Sequence, residues 1–247
     1  MARSNPTKRG CGIFWIEAGW LSLSEIERLL TALQFGDGQF PAGAFAFSWG
    51  LESLIADGAV ARADFPAFLL AQLAYRWASF DRIVVLQAHE AVRDVDQLCK
   101  LDDFVDAATT VDAARLGSKR AGSALLSTHH RLGIPGAAAF RQAVTAGRAA
   151  GHLAVVQGCV LAGLGLDRMT ALTVSAYSTA SALSTAAIRL GLIGHLDAQR
   201  ALLAAHPYLS GAIKRDDVDL DGASSFVPTA DIAMMRHAIQ TQRLFSN

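Results

Sequence analysis

The chain has 247 residues, 52% of them apolar, and its 22 Lys plus Arg balance 22 Asp plus Glu. That is enough apolar material for a sizeable core in one domain, and a balanced charge excludes the long-range field of a nucleic-acid binder or a polybasic membrane binder. Cys11, Cys99 and Cys159 are odd in number and form no CxxC pair, which argues against a disulfide framework or a zinc knuckle and fits a reducing, cytoplasmic setting. A neutral surface rich in Ala and Leu favours a protein that buries area against partners.

Residues 1–21 carry Arg3, Lys8 and Arg9 and several Gly without a helical period, and read as a loosely ordered tail ahead of a domain spanning 22–247. Ser22 or Ser24 caps a first helix, in which Leu23, Ile26, Leu29, Leu30 and Leu33 recur at three and four residues before Gly36-Asp37-Gly38 stops it. Asp64 and Pro66 start a second helix, with Phe65, Leu69, Leu73, Trp77, Phe80 and Val84 along one stripe, that is expected to reach about Val95. A third long helix is expected from Leu98 to Ser127, and a short one within Ala137–Ala150 after the break at Gly133, Pro135 and Gly136.

The stretch from Leu153 to Leu190 is the most apolar, and Asp167-Arg168 divides it into two helices. A membrane hairpin is disfavoured because the first run is only 14 residues long and the second, Met169 to Ile188, holds nine hydroxyl side chains. Such a helix suits the buried centre of a bundle, where hydroxyls bond the preceding turn. Periodicity weakens from Pro207, Asp216, Asp217, Asp219 and Asp221 read as an exposed acidic loop, and a last helical turn or two follows Pro228. With no alternating strand pattern, the expected fold class is all-α, a single-domain multi-helix bundle of about seven to ten helices.

Signals for chemistry are sparse. His129-His130 are adjacent and the other five His are scattered, so no pair stands at the spacing that converges on a metal. Gly163-Leu164-Gly165 lacks the third glycine of a dinucleotide turn, no P-loop lysine is present, and Ser48 has no strand-to-helix elbow. Three constellations exceed what a plain bundle needs. In Phe40–Glu52, Pro41, Gly43 and Gly50 shape a sharp turn into a helix, and the aromatic residues Phe45, Phe47 and Trp49 form either a buried turn or a surface for a partner. Arg189 ends an uncharged helix, where a structural pairing is the favoured role. The end of the chain, Asp231–Phe245, mixes Met, Arg, Leu and Phe, types enriched at interfaces, and is either a partner surface or a docked terminal helix.

Taken in order, the chain resembles the urease accessory protein UreF family. The resemblance rests on Asp37-x-x-Phe40-Pro41-x-Gly43-x-Phe45-x-x-Ser48-x-Gly50-Leu51-Glu52, then His152-x-x-x-Val156-x-Gly158. It continues through Ala186-Ala187-x-Arg189-Leu190-x-x-x-Gly194 with Gln199, and ends in Asp231-Ile232-Ala233-x-Met235-Arg236-His237 with Arg243-Leu244-Phe245. Gly38, Phe47, Leu192 and His195 depart from the family pattern.

The resemblance implies an all-α homodimer, not an enzyme, that binds a UreD/UreH-type accessory protein and recruits the GTPase UreG to load nickel into apo-urease. No cofactor would be bound stably; nickel is handled by the complex and GTP is bound by the partner. It further implies that Asp231, Met235, Arg236, His237, Arg243, Leu244 and Phe245 contact the UreD-type protein. The turn containing Phe40, Pro41, Gly43, Phe45, Ser48, Gly50 and Glu52 would shape a surface for UreG or for the dimer. No nucleic acid or membrane partner is expected. The alternative from a different class is a metal-dependent helical-bundle enzyme built on the seven His; a helical interaction module unrelated to urease is a third reading.

Overall fold

The first helix begins where a capping box can close. Ser24 Oγ accepts the Glu27 N–H (3.3 Å) and the Glu27 carboxylate accepts the Ser24 N–H (2.9 Å), starting α1, Glu25–Gly36. The structure, a computed structural model, describes residues 23–38, 40–41, 47–134, 136–217, 219–237 and 244–245. The expected tail and the positions Gly43, Phe45 and Arg243 therefore lie outside the described residues. After α1 come α2, Leu51–Ala56, a 3-10 turn, Arg62–Asp64, and α3, Phe65–Gln72. A π-helical segment, Leu73–Asp81, leads into α4, Arg82–Glu90. Then follow α5, Val95–Ala108, α6, Asp112–Arg131, α7, Ala138–Thr145, α8, Leu153–Gly163, α9, Arg168–Arg189, α10, His195–Ile213, and α11, Pro228–His237. Because α3, the π-helical segment and α4 run on without a break, these make ten helical rods, with no strand among the described residues.

Several boundaries differ from the sequence expectation, each for a local reason. The helix expected from Asp64 to about Val95 stops at Glu90, because Asp94 turns out of it to cap α5 and accepts the Gln97 N–H at 3.0 Å. The single helix expected over Leu98–Ser127 is two. The β-branched run Thr109-Thr110-Val111 leaves the helical region, and the Thr109 hydroxyl donates to the Val105 carbonyl (2.8 Å), closing α5. Conversely, α10 continues through Pro207 to Ile213. The bond that Pro207 cannot make falls at the carbonyl of the exposed Leu203, where water can satisfy it. The acidic loop is only partly free: Asp217 binds the buried Arg82, whose guanidinium donates to Asp217 Oδ1 (2.6 Å) and to the Asp217, Arg215 and Ala78 carbonyls.

The core centres on α8, which is buried on almost every side and lies against α4, α6 and α9. Glycines allow this closeness. A Cβ on Gly158 would stand 2.3 Å from the Val85 carbonyl of α4, and one on Gly122 of α6 would stand 2.0 Å from the Gly151 carbonyl. α9 buries one face through Leu172, Ala176, Ala180 and Leu183 and exposes Met169 and Tyr177, so the central position belongs to α8 rather than to α9. Its hydroxyls do bond back as expected, Thr173 to Met169 and Ser184 to Ala180. Among the described residues no helix is long and apolar enough to cross a membrane.

One amphipathic face points the wrong way for a core helix. α1 seats Ala32, Phe35 and Gly36 toward the body and reaches α9 through Arg28–Asp167 and Gly36 beside Tyr177. Its apolar stripe, Ile26, Leu29, Leu30 and Leu33, is turned outward, each side chain at least 59% exposed. The periodicity therefore marks a helix but not its contact with this chain's own core.

Candidate protein-interaction site

The turn before α2 is built on two successive left-handed residues, Trp49 (φ 53°) and Gly50 (φ 83°). Only glycine suits the second. Besides its φ, a Cβ there would meet the Ala230 carbonyl at 2.5 Å, so Gly50 lets α11 lie directly on the start of α2. Phe47 is buried against Gly117 of α6, and Trp49 lies under the Arg76 guanidinium, 3.4 Å from the ring centroid. These two aromatic residues thus pack inward. Ser48, fully buried, accepts the Glu52 N–H (3.4 Å).

That turn aims Glu52 at the end of the chain. Its carboxylate accepts the His237 Nε2–H (2.8 Å), the Leu244 N–H (2.5 Å) and the Phe245 N–H (3.1 Å). A carboxylate taking three N–H donors in a half-closed setting is a strong, directional anchor. Phe245 is buried beneath the guanidinium of Arg189, 4.5 Å from its ring centroid, which gives Arg189 the structural partner its position called for. Three separate sequence blocks, those of Glu52, of Arg189 and of His237 to Phe245, thus meet at one place.

α11 presents two faces. Asp231, Met234 and His237 turn inward, Met234 fully buried, while Ile232 and Met235 are outward, Met235 at 62% exposure. Arg236 is outward but tied to Asp57 (3.0 Å), and Leu244 is exposed beside the Glu52 anchor. Of the C-terminal residues singled out by sequence, then, Met235, Arg236 and Leu244 are accessible, and Asp231, His237 and Phe245 hold the segment in place. Ile232 stood within the quoted motif without being singled out; its place opposite Met234 on one helix is the signal for it. Phe40 packs on Phe35 with the rings tilted by 35° (centroids 4.4 Å), and Pro41, exposed, accepts a hydrogen bond from Thr128 (2.9 Å).

Behind α11 lies a polar interior cluster. Arg76 faces Asp81 (4.0 Å) on its own rod and Asp231 on α11. Burial lowers the Arg76 pKa, opposed by those two carboxylates. Burial raises Asp81 to about 6 and raises Asp231 as well, Arg76 opposing both. A second, unanticipated network surrounds His152. Asp102 accepts the N–H groups of Ala150 (2.5 Å), Gly151 (2.8 Å) and His152 (2.7 Å), while the His152 ring contacts Ser118 (3.1 Å) and Asp106 (2.9 Å). The Ser118–His152–Asp106 row resembles a hydrolytic triad in composition only. Ser118 Oγ already accepts the Leu153 N–H (3.1 Å), and the adjacent N–H groups of Ala150, Gly151 and His152 are taken by Asp102. Its work is to start α8, and the His152 block reads as structural.

Among the described residues no three His, Cys, Asp or Glu side chains converge as metal ligands would. His89 Nε2 lies 2.8 Å from the Leu166 carbonyl, and buried His129 is pushed down to about 4 by desolvation and by His130. The Cys159 thiol is pushed up to about 12 by burial, which keeps it an inert core residue.

Comparison with known proteins places the chain among relatives by sequence. The UreF family model matches residues 60–206. The chain is similar to the protein named urease accessory protein UreF of Yersinia enterocolitica serotype O:8 / biotype 1B, 32% identical over 226 residues that cover 89% of this chain and 98% of that one. It is similar also to those of Yersinia pseudotuberculosis serotype IB and Yersinia pestis strain Pestoides F, each 31% identical over 224 residues covering 89% of this chain and 98% of the relative. All three names describe accessory proteins.

Proposed function

Because this chain belongs to the UreF family of urease accessory proteins, we propose that it is a non-catalytic scaffold that joins a UreD/UreH-type protein to the GTPase UreG so that nickel is loaded into apo-urease. The observation that carries this reading is the Glu52 anchor, which holds the C-terminal segment on the body while leaving Ile232, Met235 and Leu244 uncovered. Exposed Met and Leu on a rigidly held element are what a protein-binding face requires, and an apolar centre with Arg236 at its rim matches interface anatomy. In this account the UreD-type protein covers that face. Phe40 and Pro41, at the far end of α1, lie in a separate region left for UreG or a second copy, while Ser48, Gly50 and Glu52 act by shaping the turn.

A second copy of the chain covers the outward stripe of α1. α1, which exposes Ile26, Leu29, Leu30 and Leu33, packs on α9, which itself exposes Met169 and Tyr177, so the two helices offer apolar surface of the kind homodimer interfaces use. Nickel passes as cargo of the assembly, GTP stays on the partner, and the complex works in the cytoplasm.

Binding of the purified UreD/UreH-type protein to wild type and to Met235→Asp tests the reading. A loss of about tenfold or more, with an unchanged melting temperature, is expected for a buried interface methionine. Equal affinity would remove α11 from the interface.

A further inference from the structure

α1 and a groove between α9 and α10 border the same exposed line of α9. α9 and α10, joined by the short loop 190–194, pack antiparallel, and an open groove of about 340 Å³ runs between their outer edges. Met169, Thr173 and Tyr177 of α9 line it opposite Leu209 and Ile213 of α10. The antiparallel pairing puts Lys214 at the Met169 end and His206 at the Tyr177 end. α1 packs on α9 as well, but parallel to it: Arg28 reaches Asp167 at the start of α9 (4.0 Å), and Gly36 lies beside Tyr177. Tyr177 therefore borders both the groove and α1, whose stripe of Ile26, Leu29, Leu30 and Leu33 is uncovered.

Each of these two surfaces carries one charge left over after its neighbours have paired. At the start of α1, Glu27 is taken up by the Ser24 cap and Arg28 by Asp167, so Glu25 is exposed with no ion pair among the described residues. At the Met169 end of the groove, Arg215 binds Asp217 and Arg168 lies 3.8 Å from Asp216. Lys214, the only residue with a permanent charge among those lining the groove, is exposed and likewise unpaired among the described residues. A leucine stripe headed by an acid and an apolar groove ended by a lysine complement one another, and both belong to this chain.

We infer that two copies pair about a two-fold axis along α9, so that α1 of each lies in the α9–α10 groove of the other, its apolar stripe in the groove and Glu25 on Lys214. Such a rotation keeps every residue at its own level along α9 while exchanging the two sides of that helix. Because α1 runs parallel to α9, Glu25 then stands at the Asp167 end, where Lys214 is, and Leu33 stands toward Tyr177. An axis across α9 would instead lay α1 antiparallel on α1. The last turn of α1 holds no basic residue, so Glu25 of both copies would go unmatched in that arrangement. The pairing rests on the homodimer reading above and adds to it the receiving surface, the register and the charges that select them.

The test uses the full chain in four forms: wild type, Glu25→Lys, Lys214→Glu and the two changes together. Both positions are exposed and unpaired, so all four should fold alike. Sedimentation gives the dimer dissociation constant of each. Every dimer holds the contact twice, so each single reversal should weaken association about tenfold, and the double reversal should return it to within about threefold of wild type. In a second arm, light and isotopically heavy wild-type chains are mixed, left to exchange subunits and treated with a carbodiimide, which joins a carboxylate directly to an amine. The expected product is a Glu25–Lys214 cross-link between a light and a heavy peptide. A Lys214→Glu chain that dimerises as wild type does, a double reversal that recovers nothing, or the absence of that mixed cross-link would overturn the pairing. If Leu29→Asp with Leu33→Asp abolishes the dimer while the charge reversals have no effect, the groove pairing fails and the homodimer reading stands; if the wild type sediments as a monomer, both fall.

Discussion

Glu52 and His237 face each other at 2.8 Å across 185 residues of sequence, and the same carboxylate also takes the Leu244 and Phe245 N–H groups. One side chain on α2 thus sets where the chain ends. Glu52→Gln keeps one acceptor oxygen and a similar shape but removes the charge and puts an NH2 group, which cannot accept, in place of the second oxygen. The expected result is a loss of about 1–3 kcal/mol, with faster amide exchange over 231–245 and little change in α8. Hydrogen exchange with a thermal melt checks it; unchanged protection at the C-terminal segment would mean that Phe245 and Arg189 suffice as the anchor.

The Arg76 cluster gives stability a definite pH dependence. Burial raises Asp81 from 3.8 to about 6 in the folded chain, so its contribution is fully present below about pH 4 and is lost as pH rises through about 6. Asp231 shifts in the same direction. Asp81→Asn removes the proton, so stability of the variant relative to wild type should increase between pH 4 and pH 7. Melting temperatures of both proteins over that range decide it, and parallel curves would contradict the assigned titration.

The outward stripe of α1 makes a prediction of its own. Leu29→Asp with Leu33→Asp places two charges on a face that touches none of this chain's core, so the fold should survive with a change within about 0.5 kcal/mol. If a second copy covers that face, light scattering of the variant gives a monomer where the wild type gives a dimer. A variant that stays dimeric places the interface elsewhere.

Much of this structure is legible locally. Ser24 with Glu27, Asp167 at the head of α9 and Pro228 at the head of α11 announce their helices through short-range hydrogen bonding and φ restriction, which sequence carries directly. The break at Thr109–Val111 was weaker, because Ala and Leu on both sides keep a helical period across it. Nothing local distinguishes the π-helical segment, whose Tyr75 and Ser79 carbonyls accept the Phe226 and Ser224 N–H groups of the chain ahead of α11. The α1 stripe shows the limit of periodicity, which reports an apolar face without naming the molecule that covers it. The motif residues were recognisable, but their division of labour was not. That Gly158 and Gly50 serve close backbone approach, and that Glu52, His237 and Phe245 serve one another, depends on contacts made only once the helices have packed.

The central claim is most directly tested by the nickel content and activity of urease purified from a urease-expressing strain deleted for this chain and complemented with wild type, with Ile232→Asp plus Met235→Asp, or with a chain ending at Ala230. The account predicts nickel-loaded, active urease with wild type only, the double variant failing despite folding as wild type does. Full nickel loading in the deleted strain, or with the double variant, would contradict it.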